Sequence, residues 1–415
     1  MLAATLLGGC QRRTSPGQAA APDLATRAAI RDAPNWSRDV RPLIDVRCGA
    51  CHGSPTAAAL APPFLGTFQD LRRNAMAALQ AIRRRTMPPF GADNSGLCGH
   101  WADASWLSNA EIETFDGWVQ AGMPAGEPTI PTAQPPPSPP RQRESVRLDL
   151  GGAFSPGLGD RASRCFVVES IGNRGPALLG LGVSVEPAGA VRQATLWALS
   201  ARAVQAARQL DDATEESGWP CPGAVALEDA RLLTSWSRNT PDQRLPTGTG
   251  VPLAGAKAFA IQLRYDLIAS PPGVPVRARL DLSTGAAARI ARFVPIESLE
   301  ISLPAGQPRT QAHALWTAAR SLELWGLIPS MNTLGRVLTV DLIRGTQRHC
   351  VAHFGHWDRY DQQLFRRIAP LPLRSGDVVA LTCEFSTTSR TAAIKMGEAP
   401  DDERCLAQLY VTDQP

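Results

Sequence analysis

Between residues 35 and 127 apolar side chains recur at intervals of three and four. Leu71, Ala75, Ala78, Leu79 and Ile82 fall at helical spacing, and Ile112, Phe115, Trp118 and Val119 share a face behind Ser108, a residue type that caps helix starts. The pattern predicts a compact all-α unit. The tract from Pro124 to Pro140 contains P-T-A-Q-P-P-P-S-P-P, which cannot hold a helix or an inner strand. It should run as a stiff spacer of about 3.1 Å per residue and marks a domain boundary. After Arg141 the period falls to two, in runs such as Val146 to Leu150, Phe259 to Leu263 and Val337 to Asp341, separated by Gly and Pro turns. Alternation of this kind predicts antiparallel β-sandwich. About 270 residues are too many for one ordinary sandwich, so two jelly-roll-like sandwiches in tandem are expected, with a joint near Ala291 to Ser298.

The chain has 415 residues and 44% hydrophobic content, enough to bury more than one core. Its formal charge of +4 is spread over 42 basic and 38 acidic side chains, and no basic run exceeds Arg83-Arg84-Arg85, so no nucleic-acid footprint emerges. The start, M-L-A-A-T-L-L-G-G-C, is an apolar stretch that ends at Cys10 and is followed by a polar tract to about Arg31. It resembles a bacterial lipoprotein signal, although no Lys or Arg precedes the apolar residues. The resemblance implies acylation of Cys10 and a membrane tether; an ordinary cleaved export signal is the alternative, and both export the protein. No other stretch has the roughly 18 apolar residues of a membrane-spanning helix, so the rest is expected to be soluble. The expected organisation is a signal (1–10), a disordered tether (11–34), a helical domain (35–127), a Pro-rich linker (128–144) and two sandwiches (145–293 and 294–415). Nine cysteines fit export to an oxidising compartment.

Two thiols at the spacing of Cys48-Gly49-Ala50-Cys51-His52 add across the two vinyl groups of haem, and His52 is then placed to ligate the iron. The competing readings are a thiol redox pair and a structural zinc. The first goes with βαβ patterns that are absent here, and the second needs further ligands nearby. The sixth iron ligand is expected downstream in the same domain, at Met87 in the Pro-stiffened run Arg85-Thr86-Met87-Pro88-Pro89; Met76, Met123 and His100 compete for the role. Met/His ligation is the electron-transfer arrangement and raises the reduction potential. With N-W-S-R-D-V-R-P-L-I-D-V-R-C-G-A-C-H, T-M-P-P-F and L-S-N-A-E-I-E-T-F-D-G-W-V-Q-A-G, about ninety residues resemble bacterial class I cytochrome c domains. That resemblance implies single-electron transfer between a quinol or protein donor and an oxidase or enzyme.

Downstream, L-W-G-L-I-P-S-M-N-T-L-G-R, H-W-D-R-Y-D-Q-Q, L-R-S-G-D-V-V-A-L-T-C-E-F and M-G-E-A-P-D-D-E-R-C-L-A-Q-L-Y resemble the copper type II ascorbate-dependent monooxygenases, the peptidylglycine and dopamine hydroxylating family. R-C-F-V-V, W-P-C-P-G, L-P-T-G-T-G-V-P-L and I-Q-L-R-Y-D are similar to that family's first sandwich. The resemblance implies one copper per sandwich, held in the first by a His-His pair and a further His, and in the second by His-x-His and a Met. Here Arg192 and Gln193 stand at the His pair, Arg264 at the third His, Ser330 and Asn332 at His-x-His, and Arg404 at the Met. A guanidinium is cationic and repels a metal ion, so neither copper site is expected to form. His349, His353 and His356 cluster around Cys350 in a strand and turn, where that spacing does not put all three on one face, and exposed or hydrogen-bonded histidines are expected. His100 and His313 are expected to be structural. The resemblance also implies disulfides Cys165–Cys221 and Cys383–Cys405, each stabilising its sandwich by about 2–4 kcal/mol. Cys98 and Cys350 are left either free or paired across domains.

The expectation is therefore an exported haem-c electron carrier, periplasmic or in the cell envelope, whose sandwich pair has lost copper and hydroxylase activity and serves in binding or docking. Its partner is a redox protein, which includes a copper-competent paralogue. The alternative is a copper monooxygenase that receives electrons from its own haem domain.

Overall fold

The structure is a computed structural model that describes residues 33–55, 62–127, 145–149, 154–157, 162–169, 175–187, 189–223, 225, 227–238, 242–267, 273–397 and 402–414. Cys10, the tether to residue 32 and the linker 128–144 lie outside them.

Helices begin where side chains satisfy the free backbone N–H groups of a first turn. Asn35 accepts from the Arg38 N–H at the start of a π-turn, Trp36–Val40, which continues into Arg41–Arg47 with Pro42 in its first turn. A short helix, Gly49–His52, follows directly. Thr67 caps Phe68–Arg83, and Ser108 with Glu111 forms a reciprocal capping box at Asn109–Gln120. Their apolar faces meet in a core containing Val40, Ile44, Leu71, Leu79, Phe115 and Trp118. Each such burial contributes about 1.5–3 kcal/mol.

Most of the remaining chain is antiparallel sheet in two layers. A nine-stranded sheet runs through both halves. Over its first half lies a five-stranded sheet in the order Trp219–Pro220, Ser163–Glu169, Ala258–Tyr265, Val191–Leu199, Arg231–Ser237. A four-stranded sheet, in the order Thr310–Thr317, Val378–Phe385, Gly335–Arg344, Gln347–Phe354, covers the second half. The inward residues of each facing pair of sheets form one core, Leu181, Leu196, Ile261 and Leu280 in the first and Leu324, Leu338, Leu381 and Leu409 in the second. The joint falls inside a strand. Arg289–Glu297 pairs parallel with Thr249–Pro252 and antiparallel with Leu406–Asp413, placing Ala291 in the first core and Ile296 in the second. The sequence pattern also passed over a helix, Ala201–Asp212, capped by Ser200 and seated through Ala203 and Ala207 against Cys165 and Cys221.

The stretch from Phe90 to Ala104 leaves the helical core. Ala92 and Trp101 are buried in the second sandwich core, with Phe90 and Ala104 packed against it. Its backbone bonds to the strand residues it meets: Asp93 N–H to the His353 carbonyl (2.7 Å), Ala102 N–H to that of Arg366 (2.7 Å), and Ile368 N–H to that of His100 (3.0 Å). This stretch is rich in Gly, Asn and Asp and has no helical period, so a neighbouring strand satisfies its backbone.

Disulfides join Cys165 to Cys221 and Cys383 to Cys405, as the resemblance implied. Cys98 pairs with Cys350, 252 residues away, which resolves their open assignment and fastens the Phe90 to Ala104 stretch to the second sandwich. Three disulfides indicate an oxidising, extracytosolic compartment. Among the described residues no helix is long and apolar enough to cross a membrane.

Candidate functional site

The short helix Gly49–His52 and the helix Phe68–Arg83 face each other across a cavity of about 420 Å³, within the roughly 300–1,000 Å³ typical of small-molecule sites. Its walls are mainly apolar, including Ile44, Leu65, Ala78, Ile82 and Pro89, and Cys48, Cys51, His52 and Met87 all line it. Met76, Met123 and His100 do not. Met87, 44% exposed, sits at its edge. The His52 Nδ1 is 2.8 Å from the Pro63 carbonyl oxygen. A carbonyl only accepts, so Nδ1 carries the proton and Nε2 keeps its lone pair for a metal.

The thiols are unpaired with each other. Burial pushes the Cys48 thiol up to about 11, with the neighbouring Cys51 adding to the rise and Arg47 opposing it. A redox thiol requires the thiolate, which this environment disfavours. Conversion to an uncharged thioether is compatible with it. The residues thus fit a covalently attached haem: two thiols at vinyl spacing, an imidazole with a free Nε2, a thioether and apolar walls.

A second cavity, about 80 Å³, lies between the two sandwiches. Four of the six positions matched to copper ligands, Gln193, Arg264, Ser330 and Arg404, line it. Arg192 turns elsewhere, with its Nε 2.8 Å from the buried Asp266 carboxylate and its guanidinium 4.2 Å from the Tyr360 ring centroid. Asn332 is tied into a turn: its N–H donates to Glu403 (2.9 Å), as does that of Leu334 (2.6 Å), and its Nδ2 donates to the Asp402 carbonyl (3.0 Å). Burial raises the Glu403 carboxyl above its ordinary range, against the backbone N–H bonds from Leu334, Asn332 and Arg404. His353 bonds Thr339 and His313 bonds Thr382, and among the described residues no three of His, Cys, Asp and Glu gather in a metal-binding group.

Sequence reasoning missed the segment that closes this cleft. Asp361, Gln362 and Gln363 are all buried. The Gln362 carbonyl accepts from Ser235 Oγ (2.6 Å) and Gln193 Nε2 (3.1 Å), while its Oε1 accepts from Ser330 Oγ (2.7 Å). One residue therefore joins both sandwiches. Asp361 accepts from Ser237 Oγ (3.2 Å), Gln363 Nε2 (2.8 Å) and, from the stretch after Met87, the Gly91 N–H (3.3 Å). A polar D-Q-Q run carries no sequence signal for burial, since such runs are ordinarily exposed.

Burial pushes the Asp361 carboxyl up to about 6, with Asp358 adding to the rise and the bonds from Gln363, Ser237 and Gly91 opposing it. The native state then holds the proton more tightly than the unfolded chain, whose carboxyl titrates near about 3.9. Stability from this group is present below about pH 4 and lost as pH rises through about 6. The stability advantage of the wild type over Asp361→Asn is expected to fall by about 2–3 kcal/mol between about pH 4 and pH 7. Urea unfolding of both proteins across that range measures it; a constant difference would refute the shift.

Residues 330–412 match the family described as copper type II ascorbate-dependent monooxygenase, C-terminal domain. The rat peptidylglycine alpha-amidating monooxygenase is 26% identical over 207 residues, covering 47% of this chain and 20% of that protein. The Xenopus laevis peptidyl-glycine alpha-amidating monooxygenase A is 22% identical over 204 residues, covering 46% of this chain and 21% of that protein. This part of the chain is monooxygenase-like, and the chain spans about a fifth of the length of these curated relatives. Among solved structures, PNGF-II aligns over 65% of this chain and 66% of its own, with 8% identity and a TM-score of 0.33.

Proposed function

We propose that this chain is an exported haem-c electron-transfer protein whose monooxygenase-like sandwich pair no longer binds copper and instead serves as a rigid docking module. The observation that carries the reading is the convergence of Cys48, Cys51, His52 and Met87 on one apolar cavity. Cys48 and Cys51 would hold haem through thioethers, and His52 Nε2 and the Met87 sulfur would be the protein groups that hold its iron. Bound there, haem supplies reversible one-electron exchange. The Pro63 carbonyl orients His52, and apolar walls such as Ile44, Leu65 and Ile82 limit water at the metal. Acylation at Cys10 would tether the protein to a membrane facing the periplasm. The partner is a redox protein, including a copper-competent paralogue that takes its electrons from this chain.

Loss of copper is supported by the side chains at the matched positions. Two of those lining the closed cleft are arginines, Gln362 already bonds to Gln193 and Ser330, and Arg192 is committed to Asp266. Imidazole and thioether donors are missing there. Metal analysis of the mature protein, produced with haem-maturation machinery, is expected to give one iron and negligible copper per chain. Stoichiometric copper would instead support a monooxygenase fed by its own haem. Absence of iron and of a haem spectrum would overturn the electron-transfer reading.

A further inference from the structure

Asp361 stands where three parts of the molecule meet, close to the run that carries Met87. Met87, Pro88 and Pro89 line the 420 Å³ cavity, and two residues further on the Gly91 N–H donates to the Asp361 carboxylate (3.3 Å). A Cβ at residue 91 would sit 3.3 Å from the Phe354 ring and 3.4 Å from that carboxylate oxygen, so the glycine keeps the approach uncrowded. Ser105 Oγ and Trp106 Nε1 donate to the carbonyls of Pro89 and Phe90 (3.1 Å each), which fixes the run between cavity and carboxylate. The other donors to Asp361 are Ser237 Oγ and Gln363 Nε2. All three donors are neutral, and the residue is 5% exposed. A buried carboxylate held this way is little screened, so a change of charge nearby in the interior reaches it.

The charged groups on the elements packed around it are few. Asp358 precedes it in its own segment and accepts the Asp361 N–H through its carbonyl (3.0 Å). Arg238, next to Ser237, is paired with Asp266 (2.7 Å), and Asp93, after Gly91, accepts the Ser95 N–H (2.7 Å). His353, on the strand behind Phe354, bonds Thr339, and Arg366 pairs with Asp103.

We propose that the charge on Asp361 sets the reduction potential of the haem site, so that one-electron transfer there is linked to a proton. This rests on the haem reading above and concerns a residue outside the cavity. The two states of bound haem differ by one positive charge, which an ionised carboxylate stabilises in the oxidised state. An electron arriving from the redox partner is then accompanied by a proton from solvent that neutralises Asp361; both leave on oxidation. Burial has raised this carboxyl to about 6, which brings the exchange toward neutral pH. The potential therefore falls as pH rises through that value, and by linkage the reduced protein binds the proton more tightly by the same factor.

The test measures midpoint potentials of the mature haem protein by spectroelectrochemistry between about pH 4 and pH 8 at constant ionic strength. One downward step near the Asp361 midpoint is expected, with proton affinities about threefold to tenfold apart, or about 28–59 mV for one electron. Asp361→Asn should remove that step, leaving the pH dependence of other groups. Asp358→Asn should keep it and move it to lower pH, because Asp358 adds to the rise, and His353→Gln should leave it unchanged. In the wild type, the Gly91 ¹⁵N–¹H resonance should titrate at higher pH in the reduced than in the oxidised protein, a reading that stands even if Asp361→Asn fails to fold. A haem-bearing protein whose Gly91 titration is the same in both states, or whose potential step survives Asp361→Asn, overturns the linkage and leaves the haem reading intact. A chain that carries no haem overturns both.

Discussion

Replacing Cys48 and Cys51 together by alanine is expected to leave a chain that keeps no haem on a denaturing gel and whose helical unit melts well below the sandwiches. The cavity these residues border is about 420 Å³, beside a core supplied by four short helical segments and their connections. Because Phe90 to Ala104 packs on the second sandwich, fewer residues are left to build this core, and a smaller core buries a smaller fraction of its surface. A covalently fixed group filling that cavity would supply much of its missing apolar contact, and ligand binding to the folded state alone adds stability by mass action. Without thioethers, any haem would be held only by His52, Met87 and the walls, and would leave on unfolding. Single variants should keep one thioether, with haem surviving denaturation at reduced yield. Haem staining, acid–organic extraction and far-ultraviolet circular dichroism measure the result. A wild type with no covalent haem, and a double variant of equal helical stability, would instead favour a redox or zinc role for the two thiols.

The features that sequence reveals best are those governed by neighbours along the chain. Leu71, Ala75, Leu79 and Ile82 mark their helix because a 3.6-residue period puts them on one face, and all four are buried. Ser108 and Glu111 announce a helix start through two local hydrogen bonds. The helix Ala201–Asp212 had a comparable local sign in Ser200 with Ala203 and Ala207, yet its small buried residues make a weak apolar stripe inside a β pattern. Cys48, Cys51 and His52 stand out in sequence because they are adjacent, and Met87, preferred there over Met76 and Met123 for its Pro-stiffened loop, is the one of the three that lines the same cavity.

Contacts between distant residues left no such trace. Nothing near Asp361 reveals that Gly91 and Ser237 donate to it from two other parts of the molecule. Likewise, the strand Arg289–Glu297 reads as a boundary because its sequence neighbours change character, while its pairing carries the sheet straight through. The resemblance to copper enzymes picked out six positions in sequence, but only packing reveals that Gln193, Arg264, Ser330 and Arg404 share a cavity while Arg192 and Asn332 face other residues. Gln362 bonds to both Gln193 and Ser330, so two of the positions matched to copper ligands are tied together by one residue that the sequence does not single out.

Replacing Cys98 and Cys350 by serine is expected to lower stability by up to about 4–5 kcal/mol and to split one unfolding transition into two. The bridge spans 252 residues, so breaking it frees a long loop in the unfolded chain. What remains at the junction is noncovalent: the backbone bonds of Asp93 to His353 (2.7 Å), Ala102 to Arg366 (2.7 Å) and Ile368 to His100 (3.0 Å), the Gly91 N–H on Asp361, the ion pair of Arg366 with Asp103, and the edge-to-face packing of Phe90 and Trp101 on Phe365. Those contacts should keep the stretch docked under native conditions, because Trp101 is almost fully buried and its indole N–H donates to the Asp93 carbonyl. They should fail at lower denaturant than either core. The same stretch follows Met87 directly, so its attachment fixes the helical unit, and any haem in it, relative to the second sandwich. Denaturant titration followed separately by haem absorption and by far-ultraviolet dichroism, with limited proteolysis between residues 84 and 108, measures the uncoupling. Coincident transitions in the serine variant, with no gain in cleavage, would show that the noncovalent junction alone holds the helical unit in place.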